Sequence, residues 1–226
     1  AEAAMRRLPL KAWVHSTVVA ADREGEVLGE VIGVPLTPTM LLGDDRAIVA
    51  ERIDQAIDLA VSRGATVLGL GALTAPATAG GAKLRRRTDI GVTNGNAYTA
   101  AVTAAAVERI AAGMATPPVV ALVGANGSVG TAVARLLGRS EAVQELVLVG
   151  RTPSALAALA GDLGGTWSTD MTACRRADLV VLMTSAAGAV LTADHLKLGA
   201  VVLDDTQPRN SSPALAIERP DVTIVD

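Results

Sequence analysis

The sequence holds one cysteine and two histidines in 226 residues. A lone cysteine excludes a disulfide framework, and two distant histidines beside it make a poor metal set. Charge is sparse too: 19% of residues are charged and the net charge is −3. With a pI near 5.5, the chain lacks the basic footprint of a protein that binds nucleic acid or an anionic membrane surface. No long apolar run is present either. The widest uncharged stretch, between Arg109 and Arg135, is broken by Pro117-Pro118, Asn126, Gly127 and Ser128, whereas a spanning helix needs about 20 predominantly apolar residues in one piece. Arg6 and Arg7 are followed by no continuous apolar signal segment. These absences point to a reducing, cytoplasmic setting without an integral membrane segment. What the chain does have is bulk: half of its residues are hydrophobic and its mean hydropathy is +0.39. That excludes intrinsic disorder and suffices for one large or two small cored domains.

The first half reads as a small α/β domain. Residues 12–20 and 27–34 are β-rich runs around the polar turn Asp22–Glu26, the pattern of a hairpin. Residues 45–63 place Ile48, Ile53, Ala56, Ile57 and Ala60 at helical spacing, with Gly64 as a stop. A short strand, 65–70, runs into Gly69-Leu70-Gly71. The stretch 74–95 reads as a polar connection whose Lys83 and Arg85–Arg87 are solvated. An alanine-rich helix from Asn96 to Gly113 follows, ended by Gly113 and Pro117-Pro118. Beyond the prolines, apolar runs at 119–123, 145–149, 178–183, 200–203 and 222–225 alternate with helical patterns at 131–137, 154–163 and 191–197. That rhythm implies βαβ units on a parallel sheet and a Rossmann-like domain. The expected organisation is therefore a first, substrate-side domain over 1–113 and a nucleotide-binding domain over 114–226. The alanine-rich helix is expected to bridge them, with the site in the cleft. The chain begins on alanine and ends on a strand-like run, so residues are expected to be missing from both ends.

The most informative segment is Val119–Gly130, a buried strand entering Gly124-Ala125-Asn126-Gly127-Ser128-Val129-Gly130 and then a helix. Gly124 suits the tight turn, Gly127 the approach of a pyrophosphate, and Gly130 close helix–strand packing. Helix N-terminal amides would then meet the phosphates. The following strand ends in Gly150-Arg151-Thr152-Pro153-Ser154. No carboxylate stands there to bind a ribose 2′-hydroxyl, while Arg151, Thr152 and Ser154 suit a 2′-phosphate. The expected cofactor is NADP. Thr184 and Ser185, after the strand at 178–183, would lie at the carboxyl ends of the strands, within reach of nicotinamide or substrate.

Two resemblances follow from these residues. Gly150-Arg151-Thr152 is similar to the Asn-Arg-Thr 2′-phosphate motif of shikimate dehydrogenases. Nearly the whole chain resembles the cyanobacterial long-chain acyl-(acyl carrier protein) reductases. Gly69–Thr74 looks like their Leu-Gly-x-Phe-Ser/Thr stretch, and Thr93–Thr99 like their Thr-Thr-Gly-Asn-x-x-Thr loop. Gly124–Gly130 matches their Gly-Ala-Thr-Gly-x-x-Gly, and Asp204–Asn210 is near their Asp-Gly-Gly-x-Pro-Lys-Asn. The resemblance implies NADPH-dependent reduction of a small-molecule or carrier-bound acyl thioester to an aldehyde, with an acyl carrier protein as partner. Departures are the Asn94 in place of a threonine, a shorter 74–88 connection and few aromatics. The family's cysteine, expected beyond the last strand, has no counterpart here. Cys174 precedes the strand at 178 and reads as structural. Two other readings stay open: direct hydride transfer, as in shikimate or methylene-tetrahydromethanopterin dehydrogenases, and a cofactor-binding module without catalysis. Asn96 and Thr99 are the candidate catalytic residues, holding an oxyanion or the nicotinamide amide. Asn96 alternatively only caps its helix. His15 reads as packed or hydrogen-bonded on its strand, and His195 as solvated.

Overall fold

A computed structural model of the chain describes residues 8–43, 46–71, 73–184, 186, 188–206 and 209–225. By packing, residues up to Gly95 form one compact unit and those from Asn96 onward a second. The alanine-rich helix thus packs with the sheet that follows it.

In the first unit, β1 (Trp13–Val19) and β2 (Val27–Gly33) pair antiparallel as the expected hairpin. A short helix α1 (Pro38–Leu42) starts with Pro38 in its first turn, and the Thr37 hydroxyl accepts from the Met40 amide. Helix α2 (Arg46–Ser62) buries Val49, Ile53, Ile57 and Ala60, one stripe at helical spacing, against Leu70, Leu84 and Ile90. Arg52 on the same helix is buried and donates to the carbonyls of Leu8 and Pro35, tying the segment before the hairpin and the segment after it to α2. The 74–95 stretch is more ordered than its polarity suggests. It holds a one-turn helix α3 (Thr74–Ala77), a 3₁₀ turn Ala82–Leu84 and a strand β4 (Gly91–Thr93) parallel to β3 (Val67–Gly69). Its last arginine, Arg87, is paired with Asp58 and Asp89, while Arg85 and Arg86 are exposed.

The second unit opens with α4 (Asn96–Ala112), whose inner face is Ala100, Thr103, Ala104, Val107 and Ala111. Then come β5 (Val119–Val123), α5 (Ser128–Leu137), β6 (Glu145–Val149), α6 (Pro153–Leu163), β7 (Thr166–Ser168), β8 (Leu179–Leu182), β9 (Val201–Asp204), α7 (Leu215–Glu218) and β10 (Thr223–Val225). The six strands form one parallel sheet in the order β10-β9-β8-β5-β6-β7. Alternation along each strand explains why both faces are covered. Val120 and Leu122, Leu146 and Leu148, and Leu179 and Val181 join the α4, α5 and α6 side chains in one core. Ala121 and Val123, Val147 and Val149, and Val180 and Leu182 point the other way, onto Cys174, Leu191, Leu196 and Leu215.

Three expectations are corrected here. The helix expected at 131–137 begins at Ser128, because the glycine turn feeds straight into it. The helix expected at 191–197 is only a 3₁₀ turn, Ala193–His195: the His195 ring accepts from the Thr192 amide and Leu196 is already extended. His15 lies exposed on β1 and is neither packed nor hydrogen-bonded among the described residues. No helix among the described residues is long and apolar enough to cross a membrane.

Candidate functional site

The sheet order places β5 beside both β6 and β8, so the chain winds in opposite directions on either side of β5. In doubly wound sheets the crevice at such a reversal, outside the carboxyl ends of the strands, is where ligands bind. The residues leaving β5 there are Gly124–Gly130.

Each glycine of that turn has a distinct steric reason. Gly124 sits at φ +90, and a Cβ on it would lie 2.7 Å from the Met183 carbonyl oxygen at the exit of β8. Gly130 would press a Cβ to 2.2 Å from the Gly124 carbonyl oxygen, so only glycine lets α5 approach the turn this closely. Gly127, extended at φ −75 and ψ 167, is the N-cap of α5 and supplies no side-chain cap. Ala125 is buried under the turn, its amide held by the Val149 carbonyl. The amides of Ser128, Val129 and Gly130, the first three of the helix, find no acceptor among the described residues. Exposed N–H groups at a helix start, together with the helix dipole, are the general arrangement that favours an anion.

At the end of β6, Gly150 leaves room for a side chain rather than for backbone. A Cβ there would meet the Asn126 carboxamide oxygen at 2.2 Å. Asn126 therefore lies across Gly150 and donates to the Thr152 hydroxyl at 3.3 Å. The next residue, Arg151, is exposed and makes no hydrogen bond or ion pair among the described residues. Ser154 is likewise exposed, in the first turn of α6 behind Pro153. No carboxylate occupies Gly150–Ser154. Arg151, Thr152 and Ser154 thus leave β6 within four residues of one another, and the Thr152 hydroxyl is held beside the glycine turn by Asn126.

Across the reversal point, Thr184 follows β8. Its hydroxyl donates to the Asn210 carboxamide and accepts from the Ala186 amide at 3.0 Å, so the side chain is engaged in holding its own loop. Ser185 lies outside the described residues. Asn210, fully buried, also donates to the carbonyls of Ala186 and Gly188. Behind it stands Asp204, the last residue of β9. Its carboxylate accepts from the Ser211 hydroxyl (2.7 Å), the Ser211 and Asn210 amides (2.8 and 3.1 Å) and the Thr206 hydroxyl. Burial pushes its pKa up, but these donors outweigh it and hold the carboxyl below its usual range. The brace shapes the wall of the crevice. Sequence reasoning touched Asp204 and Asn210 only through a family resemblance; the signal available was a carboxylate ending a buried strand, six residues before an Asn-Ser pair.

Asn96 and Thr99 sit at the start of α4. Asn96 is its first residue, following Gly95 at φ +75. Its carboxamide donates to the Ser128 hydroxyl at 2.8 Å, which joins two residues singled out separately in the sequence. Thr99 is half-buried one turn on, and its carbonyl receives the Thr103 hydroxyl. In the first unit, Asn94 donates to the Gly80 carbonyl and Thr93 accepts from the Gly95 amide. That unit also contains a cleft of about 1310 Å³ bounded by β2, α2 and β3, with Val27, Leu28 and Val31 on its rim. Cys174 is fully buried, and burial, with Asp170 nearby, pushes its thiol up to about 12. No metal-binding cluster occurs among the described residues.

No family model and no curated protein sequence matches the chain. Solved structures do. A dipicolinate synthase subunit from Bacillus halodurans matches with a TM-score of 0.50 and 15% identity, over 71% of this chain and 57% of that one. The second unit is a Rossmann domain. Further matches are the iminosuccinate reductase of Paracoccus denitrificans in complex with NAD+ (TM-score 0.43, 25% identity, 55% of this chain and 42% of that one), and the shikimate 5-dehydrogenase of Thermus thermophilus in complex with NADP(H) and shikimate (TM-score 0.43, 23% identity, 60% and 51%). The matched region thus spans about half the length of these proteins.

Proposed function

We propose that this chain is the NADP-binding part of an oxidoreductase that reduces an acyl thioester to an aldehyde. The observation that carries the cofactor reading is the position of the glycine turn at the reversal point of the Rossmann sheet, with three open amides on one side and the free Arg151 on the other. The pyrophosphate fits the amides of Ser128, Val129 and Gly130. The 2′-phosphate fits the guanidinium of Arg151 and the hydroxyls of Thr152 and Ser154, where a carboxylate would repel it. When bound, NADPH supplies the hydride, which goes to the acyl carbon as the carbon–sulfur bond breaks and the thiol leaves with a proton. Thr184 would act through its loop backbone, since its hydroxyl is engaged.

Asn96 stands beside Ser128 of the cofactor turn, so the helix start Asn96–Thr99 borders the pyrophosphate of a cofactor lying along that turn. Support for the substrate side comes from the first unit. The first unit's cleft, apolar at its rim, suits an acyl chain, whether free or on a carrier protein. The buried thiol of Cys174 is no acyl acceptor. Direct hydride transfer without a covalent intermediate, as in the shikimate dehydrogenases whose 2′-phosphate motif Gly150-Arg151-Thr152 resembles, is the second reading.

Calorimetric titration of NADPH and NADH tests the cofactor assignment. One charge-assisted hydrogen-bonded contact is worth about 1.5–3 kcal/mol, so Arg151→Ala should weaken NADPH about 10- to 100-fold and leave NADH nearly unchanged. Equal affinity of the unaltered protein for the two cofactors would refute the 2′-phosphate assignment. Release of aldehyde from an acyl thioester tests the reaction.

A further inference from the structure

The contact between α4 and the cofactor turn has a direction. Asn96 is the donor and the Ser128 oxygen is the acceptor, at 2.8 Å. A serine hydroxyl has one proton to give and two lone pairs to receive with. With a lone pair taken by the Asn96 carboxamide, the Ser128 proton has no partner among the described residues. It sits on the first residue of α5, beside the open amides of the same helix turn. We infer that Asn96 is a positioning residue for the cofactor: by donating to Ser128 it aims the Ser128 hydroxyl proton at the cofactor pyrophosphate, adding a fourth donor to the three amides. The inference rests on the cofactor reading above and deepens it. It also gives Asn96 a role distinct from capping, since the carboxamide reaches across to another helix 32 residues on.

Affinities for NADPH measured by calorimetry on Asn96→Ala, Ser128→Ala, the double variant and Asn96→Asp test it. A hydrogen bond to a charged phosphate is among the stronger ones, so Ser128→Ala should weaken NADPH about tenfold or more. Asn96→Ala should weaken it several-fold alone and not at all in the Ser128→Ala background. Asn96→Asp is the sharper variant. A carboxylate only accepts, so it turns the Ser128 proton inward and presents lone pairs to the phosphate. It should bind NADPH worse than Asn96→Ala when Ser128 is present, and that gap should shrink when Ser128 is alanine. Adenosine 2′-phosphate, which lacks the pyrophosphate, should bind all variants alike and so confirms that each is folded. Independent, multiplying losses at the two positions would overturn the coupling while leaving the cofactor reading intact. Failure of the unaltered protein to bind either probe would overturn the cofactor reading itself and this inference with it.

Discussion

Two glycine-to-alanine substitutions, alike in chemistry, should act in opposite directions. Gly130 is the third residue of α5 and has ordinary helical backbone, so alanine there meets no conformational strain. Its cost is purely spatial. The new methyl would stand 2.2 Å from the Gly124 carbonyl oxygen and 2.9 Å from two further backbone atoms. Ordinary van der Waals contact begins only at 3.4 Å, and backbone cannot rotate away as a side chain can. Either α5 must lift by roughly 1 Å or the glycine turn must open. Overpacking of this kind costs about 1–3 kcal/mol, and each kcal/mol lowers the melting temperature by about 2–4 °C in a chain of this size. The lift also withdraws the amides of Ser128, Val129 and Gly130 from the phosphates, so NADPH affinity should fall together with stability. Gly161, on the exposed side of α6, has nothing within 4 Å of where an added methyl would stand. Alanine there removes chain entropy from the unfolded state and should stabilise by about 0.4–1 kcal/mol without touching cofactor affinity. Thermal melts followed by circular dichroism, with and without NADPH, read both. A Gly130→Ala protein with unchanged melting temperature and unchanged affinity would refute the steric argument.

The parts of this molecule that were legible in the sequence are those where one physical requirement dominates. Strands β5, β6 and β8 are buried on both faces, so they appear as continuous apolar runs such as Val119–Val123, and no solvent-facing pattern competes. The glycine turn was readable because Gly124 and Gly130 each answer a clash that only glycine avoids. Two short elements were not. β4 and β7 are three residues each, too short for an alternation to register, and β4 exists because β3 offers it a parallel edge. The stretch 191–197 has helical composition, but Leu191 is held in a bridge to Ser211 and the chain is extended again by Leu196. Tertiary pairing outweighs propensity there. At the site, residue types pointed to Arg151 and Asn96 separately, while the Asn96–Ser128 contact depends on how α4 lies against α5. The Asp204–Asn210 brace is invisible in spacing alone, since half of its donors to Asp204 are backbone amides, which any residue type supplies.

Two further outcomes follow from buried groups. Cys174, with its thiol held near 12 by burial, should react with iodoacetamide at pH 8 about a thousand-fold more slowly than free cysteine, whose pKa is about 8.5. Full reactivity should return in denaturant, and rapid native labelling would contradict its placement in the core. Asp204 gives a pH-dependent test with a fixed sign. Its carboxyl is held below the ordinary value in the folded chain and titrates near 3.9 when unfolded. A depressed carboxyl contributes stability that is present above the unfolded value and disappears as pH falls through the folded value. The charged form is the one that Thr206, Ser211 and Asn210 solvate. Asp204→Asn keeps the shape but turns one oxygen into a donor, which then faces amides that also donate. At least one buried amide loses its acceptor, at a cost of about 1–3 kcal/mol at neutral pH. Below the folded pKa the native carboxyl is itself neutral and has likewise gained a proton, so the advantage of the unaltered protein should narrow as pH falls below about 4. The other depressed carboxyls, at Glu30, Asp89, Asp170, Asp178 and Asp221, are common to both proteins and cancel in the difference. Urea titrations of the pair at pH 7 and at successive acid steps give that difference directly. A gap that stays constant or widens into acid would mean that the Asp204 charge is not what the brace is built to hold.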